Sequence, residues 1–490
     1  MPRTSLLLSV PTTILPTCHR RGNRAIDTAP LEFPIFLLIF SSPSPRTMTM
    51  NQTNPSARFE SRLLNARQLA ASGQVLQAEA LYAGVLKEWP ECMEAGVRLA
   101  RFAMDRGDAM RAANLLERAR LQEPNEPQIA VNLALAYAHS NRPAASRTVL
   151  DQTLAKFPTF HLAWWALSHV RNAMGDQAGG KKALFQAIRC AQDKGLWVNA
   201  ATTPPHLLQT VLAEMEGLRV WRRDLFMASF DALRQEFGND ELKRVERALT
   251  GYLREWDTTP SDPRQRPKFM YFPDIPSTPY LDPNLQPWAQ TLADAYPDIR
   301  AEATQVISDQ VPLPSFLTYK ENTRVEDHVS GDGARPAWDA FFFYRHGKRY
   351  DENHARCPKT SAIIESIETC RIRDQAPEIC FSVLTPGTHI MPHYGVTNTR
   401  VVMHLPLIVP SDCALKIVDG EEHHWKEGEL VMFDDTFQHE AWNRSNSTRV
   451  VLLMDAWNPH LTQVERQAVK LLVESITDFE GVSDRPNNAA

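Results

Sequence analysis

The side chains best suited to chemistry lie in the last third of this 490-residue chain. His393, within Thr388-His-Ile-Met-Pro-His-Tyr-Gly, and His439, within Phe433-Asp-Asp-Thr-Phe-Gln-His-Glu-Ala-Trp, are 46 residues apart, and each is expected to follow a β-strand. Two imidazoles from neighbouring strand ends can hold a transition-metal ion. On spacing alone, hydrogen-bonded or surface histidines are the more common outcome. Arg400 and His404 share one face of an expected strand, because side chains alternate with period two. Arg449 opens another strand, on the face of Val451, Leu453 and Asp455. A basic side chain aimed into a barrel suits a small anion; the alternative is a structural ion pair with Asp434, Asp435 or Asp455.

These residues need a β scaffold, and the surrounding sequence predicts one. Short apolar runs at 340–344, 378–384, 400–408, 415–418, 429–433 and 449–457, aromatic in the first and carrying Val or Ile in the others, are separated by turn signals such as Pro386-Gly387, Asp419-Gly420 and Glu427-Gly428. Many short strands with close turns imply a sandwich or barrel. Upstream the texture is helical and repetitive. Pro90, Pro124 and Pro158 are 34 apart, and Gly73, Gly107 and Gly175 keep the same register, with Asn141 in the remaining slot. Small residues recur at Ala66, Ala100, Ala134 and Ser168 and at Ala78, Ala112, Ser146 and Gly180. Gly or Asn ends the first helix of each pair in a left-handed conformation, small residues let helices approach, and Pro punctuates the second helix. A period of 34 with this pattern resembles the tetratricopeptide repeat. Four repeats are read, the last without its proline because Gln192 stands there. Helical spacing continues from Thr203 to Trp256. Eight prolines between Pro260 and Pro287 then predict an ordered, extended segment, followed by a helix over 288–308.

Composition is that of an ordinary soluble globular chain: 43% hydrophobic, 23% charged, net charge −5. That charge gives no reason to expect a nucleic-acid partner. Seven scattered cysteines without a CxxC pair argue against a zinc ribbon or a disulfide framework and for a reducing, cytoplasmic location. No run approaches the ~18 apolar residues of a membrane span. Residues 1–50 are read as a disordered leader or a gene-model extension with the true start at Met48 or Met50. The expected order is then repeats over 58–195, a helical and Pro-rich connection over 196–310, a β domain over 311–470 and a tail over 471–490.

Longer motifs carry a resemblance. The run from Ser382-Val-Leu-Thr-Pro-Gly through Arg400-Val-Val-Met-His-Leu-Pro-Leu resembles the aspartyl/asparaginyl β-hydroxylase family. So do Trp425-Lys-Glu-Gly-Glu-Leu-Val-Met-Phe, Arg449-Val-Val-Leu-Leu-Met-Asp-Ala-Trp-Asn-Pro and, upstream, Trp338-Asp-Ala-Phe. It covers about residues 310–470. The resemblance implies an Fe(II)- and 2-oxoglutarate-dependent dioxygenase, consuming O2, on an all-β double-stranded β-helix (a cupin-like jelly roll) with flanking helices, behind an all-α tetratricopeptide-like solenoid. It implies that His393 and His439 hold iron without a carboxylate, since Gly395 stands where related oxygenases place one. It further implies that Arg449 and Ser382 bind the distal carboxylate of 2-oxoglutarate, and that His404 and Trp338 line that pocket. One departure concerns the substrate: Val402 stands where well-studied members have an arginine, leaving Arg400 as a partial substitute. The implied reaction hydroxylates an aspartyl, asparaginyl or other residue of a peptide or protein, presented by the repeats, and yields succinate. The alternatives are hydroxylation of a small molecule or lipid acyl chain, or a non-catalytic binding module. Asp434 and Asp435 are candidates for orienting His439 or Arg449, and His389 is read as structural.

Overall fold

The computed structural model describes residues 55–317, 324–417, 420 and 422–481. The expected leader, and the expected tail beyond Gly481, lie outside the described residues. The chain divides into two compact units, Met1–Arg219 and Val220–Ala490.

Among the described residues of the first unit, eight helices form four antiparallel pairs: α1 (Pro55–Ala71) with α2 (Val75–Glu88), α3 (Met93–Asp105) with α4 (Ala109–Gln122), α5 (Pro127–His139) with α6 (Pro143–Lys156), and α7 (His161–Ala173) with α8 (Gln177–Gln192). Gly73, Gly107, Asn141 and Gly175 sit between the members of each pair with φ of 79°, 80°, 59° and 85°. The next N–H closes each turn back onto the helix: Gln74 on Leu69 O, Asp108 on Ala103 O, Arg142 on Tyr137 O and Asp176 on Arg171 O, all at 2.8–2.9 Å. This satisfies otherwise unpaired carbonyls and fixes the reversal. The small residues of both columns are buried at the helix contacts. Pro90, Pro124 and Pro158 each stand two residues beyond a helix of 14 residues. Where Gln192 replaces the proline, α8 runs on to 16 residues.

Helix α9 (Leu208–Ala228) carries the chain into the second unit, which adds α10 (Asp231–Phe237) and α11 (Lys243–Tyr252). The single helix expected over 288–308 is two, α12 (Ala289–Asp294) and α13 (Tyr296–Ser308). Pro297 has no N–H to continue α12 and sits in the first turn of α13, where none is needed. Helices α14 (Asp351–Arg356) and α15 (Pro358–Ser366) follow. The last helix, α16 (Gln463–Glu480), opens on a Thr462–Glu465 capping box and crosses the boundary expected at 470. Arg244 on α11 grips Glu465 with two hydrogen bonds of 2.7 and 2.5 Å.

Among the described residues twelve strands form two antiparallel sheets: β1 (Tyr280–Leu281), β2 (Val329–Gly331), β3 (Trp338–Arg345), β4 (Lys348–Arg349), β5 (Ile379–Leu384), β6 (Thr388–His393), β7 (Arg400–Ile408), β8 (Cys413–Ile417), β9 (Glu422–His423), β10 (Val431–Phe433), β11 (His439–Asn443) and β12 (Arg449–Trp457). The large sheet has the order β1-β10-β7-β12-β5-β3-β4 and the small one β2-β6-β11-β8-β9. Period-two alternation divides the central strands cleanly. Val401, Met403, Leu405 and Leu407 of β7, and Val450, Leu452, Met454 and Ala456 of β12, share a core with Trp288, Leu292, Ile299, Ala303 and Val306 of the helical segment. The opposite face of the large sheet packs through Val402, Phe342, Val451 and Leu453 against Ile390, Leu415 and Ala441 of the small sheet. Helices therefore cover one face of a jelly roll, and the other face encloses a cavity. The boundary expected at 310/311 falls inside this packing.

The Pro-rich segment is ordered and extended, as expected. Arg266 N donates to Thr436 O at 2.7 Å, Phe269 N to Val396 O at 2.8 Å, and β1 pairs with β10. Ala112→Leu is expected to destabilise the repeats by about 1–3 kcal/mol by overpacking a fully buried helix contact; urea unfolding followed by far-ultraviolet circular dichroism measures it, with solvent-exposed Met110→Leu as the silent control.

Candidate active site

Both histidines lie in strands, rather than after them: His393 ends β6 and His439 opens β11, paired opposite each other. Regular pairing would not aim them together. Ala441 faces Ile390, but His439 faces His393, so three steps along β6 match two along β11. This bulge falls at Met391–Pro392, where proline has no ladder N–H to lose. It turns His393 to the same side as Ile390, into the cavity, and the two imidazole centroids stand 4.0 Å apart.

The tautomers follow from the partners. His393 Nδ1 lies 2.8 Å from Met391 O and His439 Nδ1 lies 3.0 Å from Phe437 O. A carbonyl only accepts, so each Nδ1 carries the proton and each Nε2 keeps its lone pair for a metal ion. Burial, and for His393 also the neighbouring His439, drives both pKa values down, His439 to about 4 and His393 well below its ordinary value. Both rings are therefore neutral at pH 7, the form that ligates. Among the described residues no three His, Cys, Asp or Glu side chains converge as a metal site.

Gly395 offers no ligand, and its place is filled. A Cβ there would lie 2.1–2.2 Å from the carboxylate atoms of Asp435, so the Asp435 side chain occupies the volume beside His393 that a residue at 395 would claim. The backbone holds it there: Gly395 N donates to Asp435 O, and Gly395 O accepts from Lys268 N. Asp435 Oδ1 is buried and has no hydrogen-bond partner among the described residues. Burial raises the Asp435 carboxyl to about 7, with Arg400 opposing and Asp434 and Asp455 adding to the rise. Asp434 points elsewhere, accepting from Thr436 N at 2.9 Å and Gln265 Nε2 at 2.7 Å. It braces the turn and touches neither His439 nor Arg449.

Arg449 is buried at the inner end of the cavity. Its Nη1 lies 3.3 Å from Ser382 Oγ and its guanidinium 4.6 Å from the Trp425 ring centre. Trp338 Nε1 also donates to Ser382 Oγ, at 2.9 Å. With both lone pairs engaged, the Ser382 hydroxyl hydrogen is left to donate into the cavity. Burial lowers the Arg449 pKa to about 10, which keeps it charged at pH 7. None of the three aspartates considered as partners pairs with it. His404 lines the same end, with both ring nitrogens unpartnered and its pKa driven well down by burial and by Arg449.

Arg400 differs. Its Nη1 meets Asp455 Oδ2 at 2.7 Å, inside the fold, and Asp455 Oδ2 also accepts from Glu378 N at 2.8 Å. Burial opposes the Arg400 charge, and Asp455 and Asp435 more than offset that. Arg400 is therefore not the free clamp that could replace an arginine at 402. Val402 contributes an apolar wall with Leu415, Phe433 and Leu453. His389 faces away from the cavity and pairs with Glu440 at 2.7 Å. Sequence reasoning assigned no role to Trp425, although it stands in a quoted motif, and missed Phe433 and Glu378. All the expected site residues, Trp338, Ser382, His393, Arg400, Val402, His404, His439 and Arg449, line one cavity of about 150 Å³.

Two predictions follow from the Asp435 cradle. Its folded pKa is raised, so its contribution favours folding at low pH and is lost as pH rises from about 4 through about 7. Chelator-treated Asp435→Asn is expected to be more stable than wild type at pH 8, with the difference shrinking at pH 4–5, by urea unfolding. Gly395→Ala is expected to destabilise by about 1–3 kcal/mol because its methyl group collides with the carboxylate; adding Asp435→Ala is expected to restore most of that loss.

The family model "Aspartyl/Asparaginyl beta-hydroxylase" matches residues 293–459, and the tetratricopeptide repeat model matches 69–130 and 103–169. The human aspartate beta-hydroxylase domain-containing protein 2 is 31% identical over 233 residues, 47% of this chain and 60% of that protein. The ornithine lipid ester-linked acyl 2-hydroxylase of Rhizobium tropici is 35% identical over 37% of this chain and 61% of its own length. Human aspartyl/asparaginyl beta-hydroxylase is 35% identical over 35% of this chain and 21% of its own. The chain thus spans at most about three-fifths of these relatives. Residues 293–459 thus match the aspartyl/asparaginyl β-hydroxylase family model, and the matches to the tetratricopeptide repeat model lie upstream of them.

Proposed function

We propose that the second unit is an Fe(II)- and 2-oxoglutarate-dependent dioxygenase that hydroxylates a residue of a peptide or protein, and that the repeats help to bind that substrate. One observation carries the reading: a single cavity joins two neutral imidazoles, each with Nε2 available, to a buried guanidinium that no carboxylate among the described residues neutralises. These are complementary to a metal ion and to the far carboxylate of a short diacid. Iron(II) with 2-oxoglutarate and O2 supplies oxidative decarboxylation to succinate and CO2 and the delivery of one oxygen atom into a C–H bond.

The chain's own residues position the parts. His393 and His439 would hold the metal ion through Nε2, and their Nδ1–H groups, fixed on backbone carbonyls, set the ring planes. Arg449 and the Ser382 hydroxyl bind the distal carboxylate, and Trp338 orients Ser382. His404 offers a neutral ring beside that carboxylate. Asp435 fills the space a side chain at 395 would need, so His393 and His439 are the two side chains that would hold the metal ion.

A second reading, hydroxylation of a lipid acyl chain, draws on the Rhizobium tropici relative and on the apolar wall of Val402, Leu415, Phe433 and Leu453. The complete residue set speaks against a non-catalytic module. Among the described residues no helix is long and apolar enough to cross a membrane. Six described cysteines are free and buried, in keeping with a reducing, cytoplasmic setting.

The test is succinate release from 2-oxoglutarate in the presence of Fe(II). His439→Ala is expected to lose metal binding and turnover. Arg449→Ala is expected to keep metal binding and raise the 2-oxoglutarate requirement roughly 10–100-fold, through loss of a charge-assisted pair of about 1.5–3 kcal/mol. Wild-type protein that neither binds nor consumes 2-oxoglutarate overturns the proposal.

A further inference from the structure

Three arginines line the cavity, and each is held differently. Arg345 donates to Phe316 O at 2.8 Å and lies over the Phe342 ring. Arg400 is paired with Asp455 at 2.7 Å. Arg449 stands at the other end of the large sheet, opposite Leu384, and its contacts include no carboxylate among the described residues. They are the two oxygens of Ser382, at 3.3 and 3.4 Å, and the Trp425 ring, whose centre lies 4.6 Å from the guanidinium carbon. The Ser382 contacts are long for N–H···O bonds, so the ring face is the main compensation for the buried charge.

Trp425 is buried, while His424, Lys426, Glu427 and Glu429 around it are exposed. The loop that carries it, between β9 and β10, is pinned on both sides. His424 Nδ1 lies 3.3 Å from Cys413 O, Val409 N donates to Glu427 Oε1 at 3.0 Å, and Gly428 N donates to Pro406 O at 3.0 Å. The indole turns inward between Arg449 and His404, whose ring centre is 5.9 Å from its own. Its Nε1 is buried with no partner among the described residues, so a hydrogen bond from the indole does not set its position.

A carboxylate and a ring face compensate a buried cation in different ways. A carboxylate cancels the charge and competes with an incoming anion. The quadrupole of an indole lowers the cost of burial, fixes the guanidinium plane and leaves the full charge for a ligand. We propose that Trp425 is a positioning residue: it presents Arg449 as a cation without a counter-ion and thereby sets the preference of the cavity for a 2-oxo acid with a distal carboxylate over one without. This deepens the oxygenase reading above and rests on it.

The full chain loaded with Fe(II) under nitrogen is titrated by calorimetry with 2-oxoglutarate and with 2-oxopentanoate, which has the same carbon chain and lacks the distal carboxylate. The wild-type chain is expected to prefer 2-oxoglutarate at least about tenfold. Trp425→Leu is expected to weaken 2-oxoglutarate binding about tenfold and 2-oxopentanoate binding less than about twofold, with Trp425→Phe between wild type and Leu. A merely structural role would weaken both acids alike. Should Trp425→Leu fail to fold, a trifluorinated tryptophan placed at position 425 alone keeps the shape and weakens the ring face. It is expected to weaken 2-oxoglutarate binding about threefold to tenfold and to leave 2-oxopentanoate unchanged. Unchanged 2-oxoglutarate affinity in these variants, an equal loss for both acids, or tighter binding by the fluorinated ring, as its stronger N–H donor would give, overturns the positioning role. A wild-type chain that does not bind 2-oxoglutarate instead overturns the oxygenase reading, and the positioning role with it.

Discussion

Arg449 is a guanidinium buried without a counter-ion among the described residues, and the rest of the second unit must compensate for it. Removing a charge from water costs several kcal/mol even after a protein relaxes around it. Arg449 recovers part of that through two contacts to Ser382 and the face of Trp425. The remainder is offset by packing. Its strand, β12, lies between β5 and β7 in the large sheet, and every residue of it is buried. The outward residues of β12 enter the core shared with α12, α13 and α15, while the inward ones enter the core between the sheets. A strand buttressed on both faces can hold a side chain that would otherwise unfold it. The helical cover on the outer face thus belongs to the energetics of the cavity.

The histidines depend on a different device. A strand can aim alternate residues only, and His393 has the wrong parity relative to Ile390. The bulge at Met391–Pro392 supplies the missing residue and turns the ring inward. The two loops beyond these histidines, around Gly395 and Asp435, are then sewn to each other and to the extended segment at Arg266, Lys268 and Phe269. Metal ligands on strand ends, loops tied from outside and an anion site on a central strand give a cavity whose parts are held by different layers of the fold.

Much of this was legible in the sequence because it is local. Gly73, Gly107, Asn141 and Gly175 announce left-handed helix ends at a fixed period, and all four adopt them. The inward faces of β7 and β12 follow from alternation. What was not legible depends on pairings distant in sequence. Asp455 was a possible partner for Arg449, on its own strand face, yet it pairs with Arg400 across the β7–β12 ladder, where Trp457 rather than Asp455 sits opposite Arg400. That diagonal contact follows from register, which no spacing along the chain reveals. Asp435 entering the space beside Gly395 joins residues forty positions apart through loop geometry. The break at Ala295 was local, and Pro297 signalled it.

The Pro-rich stretch also has a protective role. β10 is only three residues long and lies near the margin of the large sheet, where β1 covers it. An uncovered strand edge presents a row of free N–H and C=O groups that invites other chains. By laying Tyr280–Leu281 along β10, the segment masks that edge with backbone from upstream of the region by which the family is recognised. A fragment cut to the family match alone would carry the cavity's residues and lose the cover, and its fate in a crowded solution would be set by self-association as much as by the chemistry of its histidines.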